Sequence, residues 1–89
     1  MRSILKWSFP FDNSELSIPF GPDATFRHAD VQGGLATVWL EYQGKPFQVM
    51  RTLRIFGTGQ TIPPGYAYLA TVLDRPNGWV WHIYVDNNI

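Results

Sequence analysis

The chain has 89 residues, enough for one domain, and its 45% hydrophobic and 16% aromatic content is too high for a disordered segment. Seven basic residues balance seven acidic ones, which disfavours binding to a nucleic-acid polymer or to an acidic membrane surface. The absence of cysteine excludes disulfides and thiolate metal sites.

Runs of β-branched and aromatic residues recur about every ten residues between Gly, Pro and Asn, which predicts strands and little or no helix. In chain order the predicted strands are Ile4–Phe9, Glu15–Ile18, Thr25–Val31, Leu35–Tyr42, Phe47–Phe56, Tyr66–Leu73 and Trp79–Val85. A short helical turn is expected at most around Asp12–Glu15. The fold class is therefore all-β and mainly antiparallel. We expect a single domain over residues 1–89, as a small sheet, a sandwich or a partly open barrel.

Three segments carry turn residues between predicted strands. Gln32–Gly34 and Gln43–Pro46 contain glycines that supply positive φ, so both predict hairpins. Arg75–Gly78 has Pro early and Asn-Gly late, which predicts a turn between the last two strands. The longest irregular segment is Gly57–Gly65.

Several predicted strands, including Leu35–Tyr42 and Trp79–Val85, carry apolar side chains on both faces. Antiparallel sheets usually leave one face to water, so the second face needs a cover. That cover is either a second layer of sheet, as in a sandwich or barrel, or another subunit or a ligand. Because few residues are available to cover both faces, we favour assembly into a homo-oligomer.

Catalytic and metal-binding patterns are weak. All four serines precede residue 18, and none lies in a nucleophile-elbow sequence. His28 and Asp30 would share one strand face, but a metal site would need a third ligand from His82 or Glu41. A solvated His28–Asp30 pair is the simpler interpretation, as is a half-buried His82 bonded to backbone or hydroxyl. We therefore expect no metal and no cofactor.

The segment Arg51–Gln60 combines arginines with a glycine-rich bend. Successive backbone N–H groups in such a bend can form an anion-binding concavity, and an arginine beside it can clamp phosphate. The segment is not a P-loop, because it lacks the Gly-Lys-Ser/Thr ending. Arg51 and Arg54 are an odd number of residues apart, so a regular strand would send them to opposite faces. The alternative is a strand-ending turn with two solvated arginines.

The four tryptophans, Trp7, Trp39, Trp79 and Trp81, exceed what a core of this size needs. Indole rings stack on nucleobases, and a nearby arginine adds cation–π attraction. The same side chains serve equally well as anchors of a protein interface. The sequence leaves both uses open.

The motifs resemble those of a family of short, largely uncharacterised bacteriophage and prophage proteins. The matching segments are Lys6–Pro10, Ile18–Pro19 with Gly21, Val31–Gly34 leading to Val38–Trp39, Arg51, Arg54–Gly59, Ile62–Pro63, Tyr68, Thr71–Val72 and Val80–Tyr84. The family pattern commonly has a His after Gly-Thr-Gly, whereas this chain has Gln60, which argues against imidazole chemistry at that position. The resemblance implies a phage origin and hence the cytoplasm of an infected bacterium. By type, such proteins are similar to sponge inhibitors that sequester nucleotide immune signals.

The leading hypothesis is therefore a non-enzymatic, homo-oligomeric phage protein that sequesters a nucleotide-derived immune signal. Such signals include the cyclic ADP-ribose species of Thoeris defence and cyclic dinucleotides. The candidate ligand-binding residues are Trp7, Trp39, Arg51, Arg54, Gly57, Thr58, Gly59, Gln60, Trp81 and His82. One alternative is a protein-binding module that inhibits a host protein or assists assembly. Another is a phosphoesterase with His28 and His82 as acid and base.

Overall fold

The computed structural model of the chain describes residues 1–12, 15–44 and 49–87. These residues form seven strands: β1 (Arg2–Phe9), β2 (Glu15–Pro19), β3 (Ala24–Gln32), β4 (Leu35–Gln43), β5 (Met50–Gly57), β6 (Tyr66–Asp74) and β7 (Trp79–Asp86). All seven predicted strands are confirmed, with small differences at their ends. Residues 47–48 of the predicted fifth strand lie outside the described residues.

No helix occurs in the described parts of the chain, so none there has the length and apolarity to cross a membrane. The helical turn expected around Asp12–Glu15 falls partly outside the described residues, and Glu15 itself already begins β2. The all-β prediction is therefore confirmed for the described residues.

The strands form two antiparallel sheets that pack face to face. The first sheet has the order β1-β4-β3 and the second the order β2-β5-β7-β6. The inner face of the first sheet contributes Phe9, Ala36, Val38, Leu40 and Tyr42 to one core cluster, and that of the second contributes Ile18, Leu53, Ile55, Val72, Ile83 and Val85. Each of these side chains is at most 4% exposed. Of the three predicted architectures, the described residues form the sandwich.

The sandwich covers one apolar face of strands such as β4 and β7, while outer-face residues such as Leu35 and Val80 stay exposed. Their inner faces cover one another within one chain, so these faces give no reason for self-association. Oligomerisation remains a prediction, and any interface must use an outer face or a free edge.

The hairpin predicted at Gln32–Gly34 and the turn predicted at Arg75–Gly78 are confirmed. Gly33 (φ 59°) and Gly34 (φ 76°) form the turn between β3 and β4, which pair in the same sheet. Arg75–Gly78 joins β6 to β7, and the Gly78 N–H donates to the Arg75 carbonyl oxygen over 3.3 Å.

The hairpin predicted at Gln43–Pro46 is wrong. β4 already pairs with β1 on one side and β3 on the other, so no free edge remains for β5. The chain therefore crosses from the first sheet to the second after β4. Gly44 does adopt the expected positive φ, at 73°, while Lys45 and Pro46 lie outside the described residues.

One buried hydroxyl group links the two sheets. The Tyr42 hydroxyl donates to the Pro19 carbonyl oxygen over 2.6 Å and accepts from the Trp7 Nε1–H over 3.0 Å. Tyr42 is only 1% exposed. Burial raises the pKa of Tyr42 above its ordinary value of 10.0, and the Trp7 hydrogen bond offsets part of that increase.

We expect Tyr42→Phe to lower the free energy of unfolding by about 1–3 kcal/mol, because it leaves the Pro19 carbonyl and the Trp7 indole N–H without this partner. Urea denaturation measures the change. The control is Tyr68→Phe, which removes an exposed hydroxyl that is hydrogen-bonded to Thr71, and it should change stability little. Equal stability of wild type and Tyr42→Phe would contradict the role of this hydroxyl.

The same pair of proteins should also differ in alkali. Because the folded state raises the pKa of Tyr42, its neutral form contributes stability that is complete below pH 10.0 and is lost as the pH rises further. The stability advantage of wild type over Tyr42→Phe should therefore shrink above that pH. An advantage that stays constant or grows there would contradict the direction of the shift.

Candidate functional site

A groove lies at one end of the two inner strands of the second sheet, where β5 ends and β7 begins. It has a volume of about 470 Å³ and is lined by Gly57, Thr58, Gly78, Trp79, Val80 and Trp81. The antiparallel register places Gly57 directly opposite Trp81, which brings the turn after β5 next to the turn before β7. We call this feature the Trp79 groove.

The two tryptophans of the groove have different environments. Trp79 is 59% exposed, and its ring centroid lies 5.8 Å from that of Trp81. Trp81 is half-buried and stacks on Phe11, with centroids 5.6 Å apart and planes inclined by 28°. The Trp81 ring is therefore supported by Phe11, whereas the Trp79 ring is accessible to a ligand.

The Trp81 ring lies close to the backbone of β5 at Gly57, where a Cβ would still fit. A Cβ at Gly57 would lie 3.4 Å from Trp81 Cζ3, in ordinary van der Waals contact. Trp81 Nε1 is buried and has no hydrogen-bond partner among the described residues. The Trp81 ring therefore forms a rigid wall that contributes packing surface and offers no accessible hydrogen-bond donor.

The glycine-rich turn that follows β5 uses much of its own hydrogen-bonding capacity. The Gly57 N–H donates to Gln60 Oε1 over 2.6 Å, and the Gln60 N–H donates to the Gly57 carbonyl oxygen over 3.1 Å. Gly59 closes the turn with a φ of 94°. Of the four backbone N–H groups of Gly57–Gln60, which the sequence suggested as anion ligands, those of Gly57 and Gln60 are thus hydrogen-bonded inside the turn. The Gln60 side chain stabilises the turn.

His82 connects this turn to β6 through hydroxyl groups. Its Nε2 lies 2.9 Å from Thr58 Oγ1, and its Nδ1 lies 3.0 Å from Thr71 Oγ1. The Tyr68 hydroxyl continues the chain to Thr71 over 2.7 Å. The interpretation of His82 as a half-buried, hydroxyl-bonded histidine is confirmed. Its effect at the groove is to fix the Thr58 side chain at the groove wall.

The two candidate arginines lie on opposite faces of β5, as their spacing predicted. Arg51 donates from Nε to the Asp86 carbonyl oxygen over 3.0 Å and from Nη2 to Asn87 Oδ1 over 2.9 Å. Neither Arg51 nor Arg54 lines the Trp79 groove. Arg51 thus fastens the end of β7.

Arg54 belongs to an aromatic cluster on the outer face of the second sheet. Its guanidinium carbon lies 4.9 Å from the Phe56 ring centroid and 5.7 Å from that of Tyr66, and Nε is 3.9 Å from a Glu15 carboxylate oxygen. Tyr84 packs edge-on against Phe56 at 5.6 Å. Phe56 is consequently buried on an outer face.

The structure separates the other candidate residues from the groove. Trp7 is half-buried against the core and bonded to Tyr42. Trp39 lies on the outer face of the first sheet, with its ring 5.5 Å from that of His28. These two tryptophans therefore do not line the same pocket as Trp81.

His28 and His82 lie on different sheets, each on the outer face, because His28 pairs with Trp39 and His82 with Phe56. The sandwich core separates them, so an acid–base pair formed by these two histidines is excluded. No group of three or more potential metal ligands occurs in the described part of the chain. Glu41, the other possible third ligand for His28 and Asp30, pairs instead with Arg2 at 3.3 Å and Arg27 at 3.1 Å.

The sequence therefore located part of the site. Gly57, Thr58 and Trp81 line the groove, while Gln60 and His82 support it. The residues that sequence reasoning left out are Gly78, Trp79 and Val80. The available signal was the Asn-Gly turn directly before Trp79, which predicts a side chain at the exposed end of a hairpin.

We expect Trp79→Ala to leave the free energy of unfolding nearly unchanged, because its ring is mostly exposed. Trp81→Ala should lower it by roughly 1–3 kcal/mol, because it removes a half-buried ring stacked on Phe11. Urea denaturation of both variants measures the difference. A loss for Trp79→Ala as large as for Trp81→Ala would show that Trp79 serves the fold instead of a ligand.

Comparison with known proteins gives a family without an assigned activity. No curated protein and no solved structure matches the chain. The family model described as "Domain of unknown function (DUF7352)" matches residues 1–88. The chain therefore belongs to the DUF7352 family.

Proposed function

We propose that the chain binds a nucleotide-derived small-molecule signal in the Trp79 groove and withholds it from an effector without turning it over. The observation that carries the proposal is the exposed Trp79 ring on the wall of a preformed groove whose lining also includes Thr58. The nucleoside part of the ligand would occupy this groove.

The dimensions and walls of the groove support a ligand of this size. Small-molecule sites commonly enclose about 300–1,000 Å³, and this groove has about 470 Å³. A base stacked on an indole gains about 1–3 kcal/mol. The contact of Trp81 with Phe11 holds one wall in place before binding, which reduces the entropy lost on association.

The polar groups of the groove indicate how the ligand lies in it. Thr58 can exchange hydrogen bonds with a ribose hydroxyl while His82 holds its side chain. The lining residues include no charged side chain. We infer that the base and ribose enter the groove and that the phosphates point towards solvent. Arg51 and Arg54, which the sequence suggested for phosphates, have other partners.

The nature of the signal rests on the family resemblance described from the sequence. Short phage and prophage proteins with these motifs suggest a role in an infected bacterium, where cyclic ADP-ribose species and cyclic dinucleotides activate defence effectors. Such a role requires tight binding without catalysis. The groove and the resemblance together favour sequestration.

One observation favours a second candidate, a protein-binding module. Leu73 and Val80 are opposite each other on β6 and β7 and are 48% and 36% exposed. Tyr68, at 59%, is a further exposed aromatic residue on the same outer face. Exposed apolar surface of this kind also suits an interface with a host protein.

The binding proposal predicts micromolar or tighter affinity for at least one of ADP-ribose, cyclic ADP-ribose and a panel of cyclic dinucleotides, measured by isothermal titration calorimetry. Trp79→Ala should weaken it by roughly 5- to 150-fold, which corresponds to the stacking energy of one base. The matched control is Trp39→Ala, which removes a tryptophan from the opposite sheet and should leave affinity unchanged. No heat from any ligand, or equal affinity of wild type and Trp79→Ala, would refute the proposal.

The absence of turnover is tested on the same complex. After prolonged incubation and heat denaturation of the protein, mass spectrometry should recover the bound ligand intact and in stoichiometric amount. A hydrolysed product that accumulates with protein concentration would show an enzyme instead of a sequestering protein.

A chain that binds no nucleotide but retains one defined host protein through the Leu73 and Val80 surface would establish the second candidate.

A further inference from the structure

We propose that the open edge of β1 pairs with β1 of a second copy of this chain, joining two first sheets into one six-stranded antiparallel sheet. The surface lies on the sheet opposite the Trp79 groove, so the proposal is independent of the ligand. Among the described residues, four strands have an edge without a hydrogen-bonded neighbour: β1 and β3 in the first sheet, and β2 and β6 in the second.

Three of these four edges carry features that block strand pairing. β3 has a register shift between Phe26 and His28, and β6 has one between Tyr68 and Ala70. β3 and β6 also contact each other across one side of the sandwich. β2 has five residues and ends in Pro19. Bulges, shortness and proline are the usual protections of an edge strand.

β1 has no register shift and no proline and is not short, although it also contacts β2 across the other side of the sandwich. It pairs with β4 in unbroken register over all eight residues, and it contains neither glycine nor proline. Five consecutive residues from Arg2 to Lys6 are exposed. Ile4 is 57% exposed, and Leu5, although it faces the core side, is still 36% exposed. A long, regular and partly apolar edge is a template for another strand.

The basic side chains of β1 do not shield its edge. Lys6 Nζ donates to Gln32 Oε1 over 2.7 Å, which draws the ammonium group across the outer face of the sheet towards β3. Arg2 Nη1 donates to Glu41 Oε2 over 3.3 Å, on the neighbouring β4. Both charges therefore point back over the sheet and away from an incoming strand.

The hydrogen-bond pattern defines which backbone groups are free. The Gly44 N–H donates to the Met1 carbonyl oxygen over 2.8 Å, so Met1 and Gly44 form a hydrogen-bonded pair. Bonded and non-bonded pairs alternate along an antiparallel ladder. The odd-numbered residues of β1 consequently bond to β4, and the even-numbered residues turn their N–H and C=O groups to the open edge. These residues are Arg2, Ile4, Lys6 and Ser8.

One register makes this edge self-complementary. A two-fold axis at Leu5 places Ile4 opposite Lys6 of the second copy and Arg2 opposite Ser8, which forms about eight backbone hydrogen bonds. It also brings the two Leu5 side chains together as a close, non-bonded pair. An axis at Ile4 would oppose Arg2 and Lys6, and an axis at Lys6 would oppose two lysines. Like charges directly opposite are destabilising, so the Leu5-centred register is favoured.

The test measures the mass of the full chain by sedimentation over micromolar to millimolar concentrations. Wild type should reach twice the 10.2 kDa of the chain. Ile4→Pro removes an N–H on the open edge without touching the bonds to β4, and it should raise the dimer dissociation constant at least about tenfold. The control is Ser17→Pro, which makes the same change on the exposed edge of β2 and should leave the dimer intact.

A charge exchange at the two-fold axis provides a second test that does not depend on a proline variant folding. Leu5→Lys and Leu5→Glu should each be monomeric, because each places like charges together at the axis, and an equimolar mixture should form a one-to-one heterodimer. The proposal is overturned if wild type stays monomeric at all concentrations. It is equally overturned if the dimer persists in both Leu5 variants, or if Trp79→Ala abolishes it.

Discussion

The inner faces of the two sheets share a single layer of side chains, and the rest of the structure depends on this packing. One strand, β4, contributes four core residues and has partners on both sides, which fixes the first sheet. The Tyr42 hydroxyl then connects this strand to the Pro19 carbonyl of the second sheet in a nearly water-free position. A buried hydroxyl must be fully bonded to be tolerated, so this link also sets how the sheets face one another.

The packing of the core reaches the groove through β7. Ile83 and Val85 lie in the core, and the next inward position towards the start of the strand is Trp81, which packs on its margin. Trp79, one further inward position along, projects beyond the core and stays exposed. The exposure of the inward-facing side chains of β7 therefore increases from Ile83 through Trp81 to Trp79. The ligand proposed for this end of the strand would meet a wall whose orientation is already set by the fold.

The sequence predicted the strands well because alternation and turn chemistry are local properties. It misassigned the Gln43–Pro46 connection because the choice between a hairpin and a crossover depends on whether β4 has a free edge, which is a long-range property. The same limitation explains the site. Thr58 and His82 were predicted together and are bonded, whereas Trp7 and Trp39 were grouped with them although sheet membership places these two elsewhere. Composition reveals a surplus of tryptophan but does not say which ring remains uncovered.

The outer faces of the sandwich divide the molecule into two surfaces with different properties. The second sheet carries Arg54 among the rings of Phe56 and Tyr66, with the groove at one end. The first sheet carries charged pairs around Glu41 and an unprotected edge. The proposed ligand binding and the proposed self-association would therefore depend on different residues, and a change at one surface should leave the other intact.

The proposed function requires that Trp79, alone among the four tryptophans, is the ring that a nucleotide contacts first. The most direct measurement is the set of indole N–H resonances of the ¹⁵N-labelled chain, assigned by substitution and followed by NMR during titration with ADP-ribose. If Trp79 contacts the nucleotide, the chemical shift of its indole N–H should change most. That of Trp81 should change less, and those of Trp7 and Trp39 should stay constant. Movement centred on Trp39, or no movement of Trp79 with ADP-ribose or any other nucleotide of the panel, would contradict this requirement.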